Sequence, residues 1–275
     1  MNGKIPYMKK RKVKHGKMIA ISASKSSYFS KIIYCAFVFG HITLADATEL
    51  KTQKIAQDNR MFSVRLGSSR VIYTPGSNGA TLTVSNPQNY PILIQSEVIS
   101  ENKKDTGPFL ITPPLFRLDE GAQSHLRIIQ TSGTFPDNKE TMQWICITGI
   151  PPKNGDVWGS QKASAEGATL DISYRIQSCI KMFIRPLSLK ESPEAIGGNL
   201  IWYREDGRLK VRNPTPYYLV LKDVRLGGVT VKTPEYIPPE GSQSYVIPDV
   251  NADRIQWRVI TDYGGDSGVF EGKVS

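Results

Sequence analysis

Histidine and cysteine are both scarce in this chain, with three of each among 275 residues. Beyond the first 47 residues, the only ones left are His125, Cys146 and Cys179. A single histidine cannot build a His-rich metal site, and a Ser-His-Asp triad would have to use His125. The nucleophile-elbow, phosphate-loop and H-E-x-x-H motifs are also missing. These absences argue against an enzyme, and no cofactor or metal is expected.

Long apolar runs are missing too, and the longest one lies near the N-terminus. Residues 32–39 are apolar but too few to span a bilayer comfortably, and a basic segment precedes them. Small residues follow at Ala45 and Ala47, in the pattern of a secretory signal. We therefore predict a signal peptide over residues 1–47, with Met18 as an alternative start and no membrane insertion once it is removed.

The net charge of +10 comes largely from this leader. Residues 1–47 contain nine of the 35 lysines and arginines and one of the 25 acidic residues. The rest of the chain therefore has 26 basic and 24 acidic residues, a net charge of +2. A nearly neutral remainder gives no reason to expect a nucleic-acid partner.

Removal of the leader would leave an even pair of cysteines, Cys146 and Cys179. In an exported protein such a pair predicts a disulfide, and two buried free thiols are the alternative. Residues 153–167, between the cysteines, are rich in Gly, Ser and Lys and predict a long mobile hairpin loop.

Short apolar segments separated by turn residues cover most of the remaining chain, and none has a helical period. This pattern predicts β-sandwiches. The predicted strands of a first domain, residues 48–187, lie at 62–66, 69–73, 81–84, 90–98, 109–111, 124–129, 143–147 and 168–186. Residues 187–198 look like a linker, and a second, smaller sandwich in domain 188–275 has strands at 200–203, 208–212, 217–224, 244–247 and 255–261.

The segment 168–186 is the most regular of these strands. Large apolar residues occupy even positions, with polar residues at most odd ones, for far longer than the usual 5–6 residues. The set is Leu170, Ile172, Tyr174, Ile176, Ile180, Met182 and Ile184. One interpretation is a long core strand; the other is that its first half is offered to another protein by strand addition.

Several motifs resemble those of the periplasmic chaperones of the chaperone–usher pathway. They stand in the family's order at 69–73, 112–118, 135–140, 149–152, 180–186, 213–218 and 257–265. The cysteine pair, the loop between the cysteines and the extended N-terminal arm resemble the long-loop subfamily, which serves fibres such as the pH 6 antigen fimbria and the capsule antigen. One departure is residues 119–121, where many relatives have a proline before the glycine.

The resemblance implies two immunoglobulin-like domains in an L or boomerang shape, and a partner that is a fimbrial or polyadhesin subunit. It further implies that Leu170, Ile172, Tyr174 and Ile176 fill an open groove of that subunit. Arg70 and Lys181 match the pair that anchors the subunit's C-terminal carboxylate, which two cations can hold by charge-assisted hydrogen bonds.

Other residues match supporting elements of the same family. Phe62, Val64 and Leu66 match an arm that pairs with the other edge of the groove. Glu140, Arg185 and Asp262 match an ion network between the domains, and Pro151 and Pro152 match a proline element that faces the outer-membrane usher.

Two rival functions remain open from the sequence. A secreted adhesin with two immunoglobulin-like domains would share the leader, the disulfide and the fold. A hydrolase on a sandwich scaffold would need His125, which lies in a predicted strand. Whether the free chain covers its apolar strand by self-association is also left open.

Overall fold

Strands make up nearly all the regular structure of this chain, in a computed structural model that describes residues 63–153, 156–158, 174–232 and 236–275. They form four sheets, paired into two β-sandwiches. The prediction of an all-β chain with two sandwich domains is therefore confirmed. The predicted signal peptide, Phe62 and most of the loop 153–167 lie outside the described residues.

The first sandwich packs a four-stranded sheet against a five-stranded one. Their orders are β1-β3-β7-β5 and β2-β9-β8-β4-β6. The strands are β1 (Arg65–Leu66), β2 (Arg70–Tyr73), β3 (Ala80–Ser85), β4 (Ile92–Ser100), β5 (Phe109–Thr112), β6 (Leu115–Leu118), β7 (Gln123–Gln130), β8 (Thr141–Ile150) and β9 (Ile176–Ile184).

The second sandwich follows a short helical connection, α1 (Pro193–Ile196), and a 3₁₀ turn at Gly197–Asn199. Its sheets have the orders β10-β11-β14 and β13-β12-β15-β16. The strands are β10 (Ile201–Glu205), β11 (Arg208–Arg212), β12 (Leu221–Leu226), β13 (Val229–Thr230), β14 (Ser242–Val246), β15 (Arg254–Val259) and β16 (Phe270–Lys273).

Period-two alternation explains how each sheet buries one face. In β4, for example, Ile92, Ile94 and Val98 are buried while Gln95 and Glu97 point to solvent. The same alternation in the other long strands fills two separate cores, one inside each sandwich.

A third apolar cluster lies where the two sandwiches meet. Its buried members are Met142, Trp144, Cys146, Phe183, Tyr218 and Val220. On β8 the odd residues Ile145 and Ile147 face the first core, while the even ones face this junction. A strand with two buried faces has a continuous apolar run, which is what residues 144–147 show.

The structure corrects three details of the sequence-based strand plan. The linker 187–198 contains α1, which starts at a proline after Ser192 and is too short to have a visible helical period. Strands β6, β13 and β16 had not been predicted. The predicted strand 217–224 begins only at Leu221, and Leu219 forms an isolated bridge with Ile237.

Candidate protein-binding cleft

The long alternating segment lies on β9, which has a different environment at each end. Strand β8 pairs with β9 along its whole length, whereas β2 pairs with it in parallel only over Lys181–Ile184. Over 176–180, β9 therefore has a ladder partner on one side alone within the described part of the chain. A strand edge of this kind can accept another chain through its backbone N–H and C=O groups.

The apolar face of β9 leaves the core along the same direction. Ile184 and Met182 are fully buried in the first core, and Ile180 packs against it. Ile176 is 39% exposed and Tyr174 is 67% exposed. Leu170 and Ile172, the other two residues predicted to fill a partner's groove, lie outside the described residues.

The predicted cation pair sits at the point where the open edge ends. Arg70 on β2 and Lys181 on β9 are directly opposite each other in the parallel ladder. Arg70 is buried, with Nη1 donating a hydrogen bond of 3.2 Å to the carbonyl of Ile260 in the second sandwich. Its buried Nε has no hydrogen-bond partner among the described residues. The pair therefore lies in the cleft where the two sandwiches meet.

Burying the Arg70 guanidinium costs free energy, because it removes the charge from water. Burial lowers the pKa of the guanidinium from its usual value, whereas the nearby negative charge of Asp262 acts to raise it. An arginine nevertheless stays protonated in proteins. Arg70 therefore brings a buried positive charge to the cleft, and a carboxylate is the group that best matches the geometry of a guanidinium.

Glu140, Arg185 and Asp262 come together across the same junction. Arg185 Nε donates to Glu140 Oε1 at 2.5 Å, and Nη1 and Nη2 donate to the two carboxylate oxygens of Asp262 at 2.6 and 2.8 Å. The backbone N–H of Tyr218 donates to Glu140 Oε2 at 2.8 Å. Glu140 and Asp262 are thus hydrogen-bonded by Arg185, and Asp262 acts on Arg70 through its charge.

The surroundings of Glu140 and Arg185 shift the pKa values of both groups. Burial raises the pKa of Glu140, with the charge of Arg185 acting in the opposite direction. Burial alone would lower the pKa of Arg185, but its hydrogen bonds to Asp262 and the charge of Glu140 outweigh this, so that its pKa is raised. Arg185 is therefore permanently charged.

Cys146 and Cys179 form a disulfide, as predicted. They are direct neighbours in the ladder between β8 and β9, so that the bond ties the base of the open strand to its neighbour. Cys146 is buried at the junction, whereas Cys179 lies on the exposed part of β9. The loop 153–167 is enclosed between the two cysteines.

The N-terminal arm is described from residue 63 onward. Val64 and Leu66 pack against the first core of this chain, and β1 pairs with β3. In the free chain their side chains therefore face inward, and the predicted pairing with a partner stays a prediction. Pro151 and Pro152 directly follow β8, and both are half-buried.

Aromatic residues that sequence reasoning missed line the cleft. Lys181 Nζ lies 4.9 Å from the ring centroid of Trp144 and 6.0 Å from that of Tyr236. The guanidinium carbon of Arg70 lies 5.9 Å from the ring centroid of Phe183. The apolar run 144–147 of β8 is a signal that could have indicated a strand with two buried faces, but nothing local to the sequence indicates which rings approach which cations.

The described residues offer little for catalysis. His125 is exposed on β7, where its Nδ1 is 3.0 Å from Thr83 Oγ1. No group of three His, Cys, Asp or Glu side chains in the described ranges is placed to hold a metal ion. Among the same residues, no helix has both the length and the apolar character needed to cross a membrane.

Comparison with known proteins places both sandwiches in one family. Residues 63–190 match the family model for the pili and flagellar-assembly chaperone PapD N-terminal domain, and residues 195–269 match that for the pili assembly chaperone PapD C-terminal domain. The chain is 42% identical to the chaperone protein AggD of Escherichia coli over 222 residues, which cover 80% of this chain and 88% of that protein.

Two solved structures share the same architecture. The crystal structure of the E. coli chaperone DraB superposes with a TM-score of 0.71 at 46% identity, covering 78% of this chain and 98% of that one. The SafB chaperone, solved in complex with the Salmonella enterica SafA pilin, gives the same four values. The chain therefore belongs to the PapD family of pilus-assembly chaperones.

Proposed function

We propose that this protein is a non-enzymatic periplasmic chaperone that captures fimbrial or polyadhesin subunits by donor-strand complementation and passes them to an outer-membrane usher. The observation that carries the proposal is β9, whose apolar face leaves the core beside an open edge that ends at the cations Arg70 and Lys181. A related chaperone, SafB, has been solved with the pilin SafA.

The donated strand would supply both affinity and register. Backbone hydrogen bonds along 176–180 and the residues before it would extend a sheet of the subunit, and the alternate side chains would fill its groove. Burying one large apolar side chain contributes about 1.5–3 kcal/mol, so that Leu170, Ile172, Tyr174 and Ile176 together would give roughly 6–12 kcal/mol before ordering costs.

The two cations would fix where the subunit's strand ends. A C-terminal carboxylate placed between Arg70 and Lys181 would compensate the buried charge of Arg70 through charge-assisted hydrogen bonds. The carboxylate would thereby set the register in which the apolar side chains meet the groove. Handover would exchange this strand for the N-terminal extension of the next subunit at the usher, and Pro151 and Pro152 would lie on the usher-facing side.

Co-purification tests the proposal. A tagged chain recovered from the periplasm should bring one fibre subunit with it in a one-to-one complex, identified by mass spectrometry. Arg70→Glu and Lys181→Glu should each abolish the complex while leaving the chaperone folded, as judged by its circular-dichroism spectrum. Arg225→Glu, an equal charge reversal at an exposed position of β12, is the matched control and should keep the complex.

The same experiment separates the adhesin alternative. A two-domain adhesin would be found at the cell surface or in the medium, and reversing the charge of buried Arg70 would have no reason to affect its binding to host cells. Normal subunit capture by a folded Arg70→Glu, Lys181→Glu double variant would overturn the assignment of the anchor.

A further inference from the structure

Each cation of the cleft lies against an aromatic ring. Lys181 Nζ is 4.9 Å from the centroid of Trp144, whose ring also has Lys103 Nζ at 4.0 Å, and 6.0 Å from that of Tyr236. The guanidinium carbon of Arg70 lies 5.9 Å from the ring centroid of Phe183. A cation within about 6 Å of a ring centroid is attracted by the negative face of the ring, more strongly where water is excluded. The aromatic wall of the cleft consists of four rings, those of Trp144, Phe183, Tyr218 and Tyr236.

The aromatic wall is fixed by its own contacts. Trp144 is 4% exposed, and its Nε1 donates to the carbonyl of Glu101 at 3.1 Å. Phe183 and Tyr218 have their ring centroids 5.6 Å apart, as do Tyr218 and Tyr236. The hydroxyl of Tyr218 donates to Glu101 Oε2 at 3.0 Å. One glutamate therefore holds the wall at two points, and the rings cannot easily move away from the cations.

Both sandwiches contribute to this wall. Trp144 and Phe183 come from β8 and β9 of the first, whereas Tyr218 and Tyr236 come from the second. Trp144 is also the direct neighbour of Lys181 in the ladder between β8 and β9. The environment of the Lys181 ammonium is therefore complete only when the two sandwiches are packed together.

An aromatic ring and a carboxylate hold a lysine ammonium in different ways. A lysine has a long flexible stem with much rotamer freedom, and a bound partner must restrict that freedom before it gains a hydrogen bond. An aromatic face can hold the ammonium in advance without cancelling its charge. The attraction of the ammonium for an incoming anion is then preserved.

We propose that Trp144 and Tyr236 are positioning residues, which hold the Lys181 ammonium beside Arg70 so that the pair selects a partner strand ending in a free carboxylate. This inference rests on the function proposed above and adds the groups that make its anchor selective. It also makes recognition of the carboxylate depend on the packing of the two sandwiches, because Tyr236 belongs to the second.

The test compares two forms of one peptide. The peptide carries the last fifteen or so residues of the subunit that co-purifies with the chain, made once with a free C-terminal carboxylate and once as the amide. Titration calorimetry with the full-length mature protein gives the ratio of the two affinities, which isolates the contribution of the carboxylate from that of the rest of the strand.

Paired substitutions separate positioning from a merely structural role. Tyr236→Leu and Trp144→Leu remove the ring and should reduce the ratio by about 5-fold or more, with little change in the affinity for the amide. Tyr236→Phe and Trp144→Phe keep a ring and should stay within about 2-fold of wild type. Tyr203→Leu, a half-buried tyrosine of β10 outside the aromatic wall, is the control and should keep the wild-type ratio.

The outcomes distinguish this inference from the function on which it rests. If the wild type binds both peptides equally, the carboxylate anchor itself is wrong. If the wild type prefers the free acid and the leucine variants prefer it equally, the anchor stands and the role of the aromatic wall is overturned. An equal loss in the phenylalanine and leucine variants would also overturn it, and the partly exposed Tyr236 carries the test if Trp144→Leu does not fold.

Discussion

At the scale of single residues, the buried position of Arg70 is not explained by its contribution to folding stability. Its guanidinium is buried, and Nη1 donates a 3.2 Å hydrogen bond to the carbonyl of Ile260 in the second sandwich. Within the described part of the chain, its Nε has no hydrogen-bond partner. An unpaired buried donor costs about 1–3 kcal/mol, and more when it is charged. A chain selected for stability alone would not keep such a residue.

Replacing Arg70 should therefore separate stability from function. Arg70→Met keeps a long side chain without the buried charge, so the free energy of unfolding should stay unchanged or rise by about 1 kcal/mol. Subunit capture should be lost. Urea unfolding and co-purification measure the two effects, and a loss of stability above about 2 kcal/mol would instead identify Arg70 as a structural ion.

Glu140, unlike Arg70, is buried together with a partner of opposite charge, and burial and that partner have opposing effects on the pKa of its carboxyl group. Burial raises its pKa, whereas Arg185 acts to lower it. With the folded pKa above the unfolded one, the folded state binds the proton more readily, so that the contribution of Glu140 to stability falls as the pH rises through the raised pKa. Below the pKa of an ordinary glutamate, that contribution is fully present.

The variant Glu140→Gln lacks this titration and gives the sign of the effect. Its free energy of unfolding minus that of the wild type should increase with pH from about 4 toward neutrality, because only the wild type loses stability in this window. Urea unfolding at several pH values measures the difference. A difference that decreases with pH would mean that Arg185 dominates and that the pKa of Glu140 is depressed.

At the scale of elements, β9 has a buried half and an exposed half that the alternation of its sequence could not separate. The even-numbered residues predicted a strand with one apolar face, and Met182 and Ile184 are in the core. The alternation is the same in the buried and in the exposed part of the segment, because a core and a partner's groove both require large apolar side chains. Only the end of the β2 ladder at Arg70 shows where β9 becomes an open edge.

Long-range pairing also explains what sequence alone could not predict about the site. Strands with clear alternation were recognised, whereas β13 has two residues and α1 has four, too few for any period. Arg70 and Lys181 were assigned by family resemblance, because nothing near either residue indicates that β2 and β9 run parallel. The aromatic wall was missed for the same reason.

The disulfide between β8 and β9 should stabilise the element that leads to the proposed donor strand. Its cysteines are 33 residues apart, and cross-linking a loop of this length contributes about 3–4 kcal/mol in the chain-entropy model. The double variant Cys146→Ala, Cys179→Ala should lose about that much free energy of unfolding, measured in urea. Wild-type protein treated with a reductant should lose a similar amount, and a reductant without effect would contradict the prediction.

At the scale of the whole molecule, polar contacts tie the two sandwiches together across their shared apolar cluster. Arg185 lies between Glu140 and Asp262, and the backbone N–H of Glu140 donates to the carbonyl of Pro216 at 2.9 Å. Arg70 of the cation pair bonds to Ile260 of the second sandwich, and the aromatic wall takes rings from both sandwiches. The proposed site therefore exists only in the assembled pair, and a partner that binds there should stabilise the junction.

Removal of Arg185 should uncouple the sandwiches. Arg185→Ala leaves the buried carboxylate of Glu140 without its cation, which should cost about 3–5 kcal/mol. Differential scanning calorimetry should show one transition for the wild type and two for the variant, since each sandwich has its own core. Lys139→Ala is the control: its bridge to Glu240 also spans the junction but is exposed on both sides, so that its loss should cost at most about 1 kcal/mol and keep one transition.

Subunit capture by these two variants then tests whether function requires the junction. Arg70, Lys181 and the whole of β9 belong to the first sandwich, so a cleft that needed only these would still capture subunits in Arg185→Ala. Because Ile260 and Tyr236 of the second sandwich contact the cation pair, we expect capture to fall at least 10-fold in Arg185→Ala and to stay at the wild-type level in Lys139→Ala. Equal capture by both would show that the second sandwich does not contribute to the anchor.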